Sequence, residues 1–143
     1  MRHSAALAYP VTVFFDATCA LCAAEMGSLK ARDAAGRLRL VDCSPDEFTG
    51  GPAPRHALMT AIHAVDAAGH LFVGVPALRI CRVAVGLPSG SFLLDLPVIA
   101  PLADRAYAVL ARNRRRLPRW LVTALAGRAA RHTPTCANGN CRL

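Results

Sequence analysis

Acidic side chains are scarce in the last third of this chain: after residue 100, Asp104 stands alone against nine arginines. Before that point eight basic and eight acidic residues balance, so the whole net charge of +8 belongs to the C-terminal 43 residues. Aromatic residues interleave little with that basic stretch beyond Trp120, and no nucleic-acid motif accompanies it, so a nucleic-acid partner is not expected. A long apolar run is missing as well. The most apolar region, 83–103, is broken by Pro88, Asp95, Pro97 and Pro101, which excludes a spanning helix. The first ten residues begin like a leader, but Pro10 interrupts them and no small-x-small cleavage site precedes the first cysteine. The expectation is a soluble, cytoplasmic protein without internal repeats, peripheral at a membrane if it meets one. With 54% hydrophobic and 18% charged residues, the first hundred positions do not read as disordered.

Cysteine is what the chain has in plenty, six in 143 residues. In a reducing compartment such a count points to redox or metal chemistry more than to a disulfide framework. The β-branched and aromatic stretch 11–15 predicts a buried strand ending at Asp16. A helix is expected from Cys19 to Ala35, stopped by Gly36, with Cys22, Met26 and Leu29 on its inward stripe. Residues 38–43 form a second strand, which completes a βαβ unit with parallel strands. After a Gly- and Pro-rich loop, 57–65 alternates as a strand and turns at Gly69, and 70–73 returns as a hairpin. Pro76 opens a helix ended by Gly86. Beyond it, a helix over 101–116 carries Leu102, Ala106, Val109, Leu110 and Leu117 on one face, and a shorter helix follows Pro118. The order β-α-β, then β-β-α, is the minimal thioredoxin-like α/β layout. It divides the chain into a core at 1–90, a basic helical extension packed on it at 91–131, and a Cys-containing tail at 132–143.

Cys19-Ala20-Leu21-Cys22 is the sharpest motif. At a helix N-terminus, unsatisfied N–H groups and the dipole stabilise a thiolate on the first cysteine. The three-residue spacing lets the second attack a mixed disulfide intramolecularly. On this reading Cys19 is the exposed attacker, Cys22 the buried resolver, and no organic cofactor is needed. The alternatives are half of a zinc or copper site and two unrelated buried cysteines. Asp16, three residues earlier, would either shuttle the proton of Cys22, if burial raises its pKa, or cap the turn. Glu25 reads as solvated surface.

The segment Asp16-Ala17-Thr18-Cys19-Ala20-Leu21-Cys22 resembles the D-x-x-C-x-x-C signature of the DCC family of predicted thiol-disulfide oxidoreductases, with Ala17 where the family usually has Gly. The resemblance continues through 65–69, through Gly74-Val75-Pro76-Ala77-Leu78, and through Tyr107-Ala108-Val109-Leu110-Ala111-Arg112-Asn113-Arg114, similar to the family's Tyr-x-x-x-Ala-Arg-Asn-Arg segment. It implies a thioredoxin-like fold and dithiol–disulfide exchange with a protein or small-molecule thiol or disulfide, and it leaves the substrate open.

The remaining cysteines divide. The end of the second strand shares a sheet edge with Asp16 and Cys19, so Cys43 there is either a third thiol near the site or a lone buried cysteine. Cys81 reads as core. In the tail, Cys136 and Cys141 flank an Asn138-Gly139 reversal that could bring their sulfurs together. They are auxiliary thiols, incidental, or metal ligands with His132 or with Cys19 and Cys22. Arg112, Arg114, Arg115, Arg116 and Arg119 offer a solvated face, or a docking surface for an anionic membrane or an acidic partner. Whether they face the Cys19 edge is left open by the sequence.

Overall fold

The structure, a computed structural model, describes residues 6–88, 97–126, 135–137 and 140–142. The readings made for the first five residues, for 89–96, for the Asn138-Gly139 reversal and for His132 lie outside them. The chain runs β1 (Val11–Phe15), α1 (Ala20–Ala31), β2 (Leu38–Asp42), α2 (Arg55–Leu58), β3 (His63–Val65), β4 (Leu71–Val73), α3 (Val75–Ala84), α4 (Ile99–Asn113), a 3-10 turn (Arg114–Arg116), α5 (Arg119–Ala126), β5 (Thr135–Ala137) and β6 (Asn140–Arg142).

The strands form one mixed sheet in the order β4-β3-β1-β2-β6-β5. β1 and β2 are parallel with Val13 opposite Leu40 and Phe15 opposite Asp42, while β3 runs antiparallel to β1. Side chains alternate across a strand. Val11, Val13 and Phe15 therefore enter one core with Met26 and Leu29 of α1 and Ala77, Cys81 and Ala84 of α3. On the other face, Phe14 lies beside Gly51 and Leu58. This is a thioredoxin-like α/β fold, and it sets the C-terminal ends of β1 and β2 at one edge.

Four local expectations change. α1 ends at Ala31, well before Gly36, because Asp33 offers competing partners. Its carboxylate accepts the N–H groups of Arg37 and Leu38 and the Lys30 ammonium, which closes a turn in place of further helix. The alternating stretch from Ala57 is not strand at its start. Pro54 initiates α2, and its carbonyl accepts the Ala57 N–H, so only His63–Val65 is left to pair. The hairpin turn does follow, with Gly69 at φ 87°.

The third change concerns α4. Its Leu102 and Val109 are 65% and 52% exposed. Ile99, Ala103, Tyr107, Leu110 and Ala111 are half-buried instead, and Arg114, one turn on, is buried. The packed face is thus turned by one residue, about 100° around the axis, from the most apolar stripe. The fourth concerns the tail. β6 pairs antiparallel with β2, Val41 opposite Asn140, and Cys141 is buried in the core cluster, so the tail extends the sheet.

Candidate active site

The site is built where β1 ends and α1 begins. Cys19 is the N-cap of α1, in extended conformation, and its Sγ accepts the Cys22 backbone N–H at 3.4 Å. That contact is the helix-capping geometry of a side chain satisfying the third N–H of the first turn. It folds the Cys19 side chain under the chain, leaving Cys19 only 2% exposed, whereas half-buried Cys22 lies in a cavity wall. The expected exposures are therefore reversed. The acidities of the two thiols diverge. The Cys22 thiol hydrogen bond brings Cys19 down to about 6 against the effect of burial, helped by the Cys22 N–H and the charge of Arg114. The same bond, then burial and the neighbouring Cys19, push Cys22 up. One proton shared by two sulfurs thus leaves its charge at the helix N-terminus.

Asp16 is fully buried at the end of β1. One carboxylate oxygen accepts the Thr18 N–H at 3.0 Å and the Thr18 hydroxyl at 2.5 Å. The other receives Arg115 at 2.9 Å and lies 3.5 Å from Arg114. Burial alone would raise this pKa, but the Thr18 hydroxyl, Arg115 and the Thr18 N–H outweigh it and hold the carboxyl below its ordinary value. The raised pKa that a proton shuttle to Cys22 requires is absent. Asp16 forms the turn and anchors two cations.

Arg114 closes the site from the extension. Its guanidinium donates to the Cys22 sulfur at 3.5 Å and to the Met59 carbonyl, and it is buried. Tyr107, seven residues earlier on the same helix face, accepts the Ile62 N–H at 3.2 Å through its hydroxyl. Its ring packs against Gly74, where an added Cβ would stand 3.3 Å from it. Asp42 holds the loop from the β2 side, accepting the N–H of Ala17 at 3.1 Å and of Ser44 at 2.9 Å. Sequence reasoning assigned no site role to Tyr107 or Asp42, and left open whether Arg114 and Arg115 face the Cys19 edge, where both reach Asp16. A signal existed for two of them, because Tyr107 and Arg114 are two helical turns apart and so share a face.

The other candidate thiols make no hydrogen bond to Cys19 or Cys22 among the described residues. Cys43 is at the expected edge, its N–H donating to the Phe15 carbonyl at 2.9 Å. It is fully buried, and burial, followed by the charge of Asp42, pushes its thiol up to about 12. Cys81 is core, also raised to about 12 by burial. Cys136 and Cys141 form a disulfide across β5 and β6, opposite each other in register. Bound to each other, they are not available as ligands for a metal at Cys19 and Cys22. Among the described residues, no group of three or more His, Cys, Asp or Glu could hold a metal ion. Nor is any helix there long and apolar enough to cross a membrane.

The chain is 30% identical over 112 residues to an uncharacterized chloroplastic protein of Arabidopsis thaliana. That alignment covers 74% of this chain and 51% of the plant protein, so the chain spans about half the length of the curated relative it matches. No solved structure shows a significant match. The profile of one family matches residues 13–120, a stretch that takes in Asp16, both cysteines of the pair, Tyr107, Arg114 and Arg115. The chain belongs to the DCC1-like thiol-disulfide oxidoreductase family.

Proposed function

We propose that the protein is a dithiol–disulfide oxidoreductase in which Cys19 is the nucleophile and Cys22 the resolving thiol. The observation that carries this reading is geometric: the Cys19 sulfur caps α1 by accepting the Cys22 N–H, and the Arg114 guanidinium lies on the Cys22 sulfur. In this arrangement the hydrogen bond between the two thiols lowers Cys19 to about 6 and raises Cys22. In the reducing direction, the Cys19 thiolate attacks a substrate disulfide, forming a mixed disulfide and releasing one substrate thiolate. Cys22 then gives its proton to the released substrate thiolate and attacks the Cys19 sulfur. The second substrate thiolate leaves, and the pair holds the two electrons' worth of oxidation as a Cys19–Cys22 disulfide. Asp16 holds Arg114 and Arg115 beside the pair, and Arg114 stabilises its negative charge. No cofactor enters the cycle, which needs an external thiol to restore the dithiol.

Cys19→Ser is expected to abolish exchange, and Cys22→Ser to accumulate a mixed disulfide visible by mass spectrometry of trapped partners. Full exchange activity in both variants would remove the proposal. Alkylation of reduced protein by iodoacetamide should be rapid above pH 6 and fall about tenfold per unit below it, as the Cys19 thiolate is protonated.

The zinc or copper alternative lacks the tail thiols as ligands. A stoichiometric, chelator-sensitive metal in freshly purified reduced protein would revive it. A further reading, docking to an anionic membrane surface through the arginines of the extension, is favoured by apolar Leu102, Val109 and Trp120, which are 65%, 52% and 71% exposed. It requires salt-sensitive liposome binding that is independent of redox state. A cytoplasmic location suits the four free cysteines, Cys19, Cys22, Cys43 and Cys81, whereas the Cys136–Cys141 disulfide suits an oxidising one.

A further inference from the structure

A cavity of about 280 Å³ opens beside the cysteine pair. Cys22 forms part of its wall, with Met26, Ile62, Leu78, Tyr107 and Leu110 around it. Cys19 is only 2% exposed, so the open space next to the pair is the space that Cys22 faces. The polar groups of the wall are engaged or repel an anion. Arg114 is bound to the Cys22 sulfur, the Met59 carbonyl and Asp16; the Tyr107 hydroxyl holds the Ile62 N–H; Glu25 is a carboxylate. An anionic group entering here would leave water without matching partners, whereas an apolar one is favoured by burial.

Size narrows the occupant. Sites for whole small molecules span about 300–1,000 Å³. This one is at the low end of that range, with room for an aliphatic or aromatic side chain carried in by a longer chain. Charge narrows it again. Arg115, 60% exposed in the turn after the helix that supplies Leu110, sets a positive charge close enough to act on both Cys19 and Cys22.

We infer that the cavity is a substrate subsite, receiving the apolar side chain next to the disulfide cysteine of an acidic polypeptide. This rests on the oxidoreductase reading and adds the substrate class to it. With the apolar residue seated beside Cys22, the neighbouring substrate sulfur is presented to the adjoining Cys19. The bonds made and broken are those already given: Cys19–S to substrate sulfur, then Cys19–S to Cys22–S, with two substrate thiols released and the pair oxidised.

The test uses full-length protein reduced with dithiothreitol and freed of it, and two peptides of sequence Glu-Leu-Cys-Glu and Glu-Ser-Cys-Glu, each as its symmetric disulfide. The leucine peptide should show a KM lower by at least about tenfold, the discrimination an apolar pocket gives between such side chains. Leu110→Gln and, separately, Leu78→Gln, each checked for folding by circular dichroism, should cut that preference several-fold. Replacing the glutamates with lysine should raise KM. Equal KM values for the two peptides on the wild type, with exchange still abolished by Cys19→Ser, overturn the subsite and leave the oxidoreductase standing. A leucine preference undiminished in both folded wall variants overturns it too, and a KM indifferent to lysine overturns the acidic polypeptide. Absence of exchange with either peptide or with a small organic disulfide brings down both readings.

Discussion

The neutral core and the basic extension solve different problems with opposite materials. In the core, charged groups that become buried are satisfied close by. Asp42 ties together the loops after β1 and β2, and Asp66 accepts N–H groups within its own hairpin. In the extension, α4 buries no residue, and its most apolar stripe stays exposed. What the extension contributes to the interior is Arg114, a cation, set against Asp16, a fully buried carboxylate. The core supplies sulfur and carboxylate and the extension supplies positive charge, so the candidate site is complete only where they meet. That is why Arg114 and Arg115, from the basic part of the chain, belong to a site whose sulfur and carboxylate come from the neutral part.

Asp16 is the hinge of this comparison, and its loss should have the largest effect on stability. Asp16→Asn leaves Arg114 buried without its counter-charge, which costs about 3–5 kcal/mol in comparable situations and is measurable by urea unfolding. The pH dependence has a definite sign. A carboxyl whose pKa is lowered by folding contributes stability that is complete above the unfolded value of 3.8 and lost as pH falls through the lower folded value. The acid limb of wild-type stability should therefore flatten in Asp16→Asn. If the variant unfolds at the wild-type urea midpoint, core and extension are not coupled through this carboxylate.

Arg114→Gln comes next. It removes the charge beside Cys22, so the Cys19 titration, followed by thiolate absorbance, should move up from about 6. An unchanged midpoint would make Arg114 a purely structural strut. Gly74→Ala probes the same junction from the core side. Gly74 has φ 69°, and its Cβ would stand 3.3 Å from the Tyr107 ring, so a loss of about 1–2 kcal/mol in urea is expected. Arg115→Gln should do least. Its side chain is 60% exposed although it bonds Asp16 at 2.9 Å, which places the loss below about 1 kcal/mol. Parity between Arg114→Gln and Arg115→Gln in the thiolate titration would erase the distinction drawn between a buried and an exposed cation.

Much of the fold was legible because local patterns and burial agreed. The alternation in 11–15, the apolar stripe at Met26 and Leu29, Gly69 at the hairpin and the helix after Gly74 each needed only neighbouring residues to be read. The failures share a cause. Asp33 ended α1 early through side-chain contacts with a later segment, and Pro54 turned an alternating stretch into a helix. In α4, the most apolar face lost to the face that carries Tyr107 and Arg114.

The sequence by itself determined the thioredoxin-like order of elements, the Cys19–Cys22 spacing at a helix start, and the charge asymmetry between the first hundred residues and the rest. These are matters of periodicity, turn chemistry and charge count, which are local. Only the tertiary structure decided that Arg114 and Arg115 meet Asp16, that Cys19 and not Cys22 is buried, and that the tail cysteines join at the far edge of the sheet. Such pairings span up to 99 residues of chain. They are set by which surfaces pack and by the cost of burying a charge without a partner, and neither is written in any one segment.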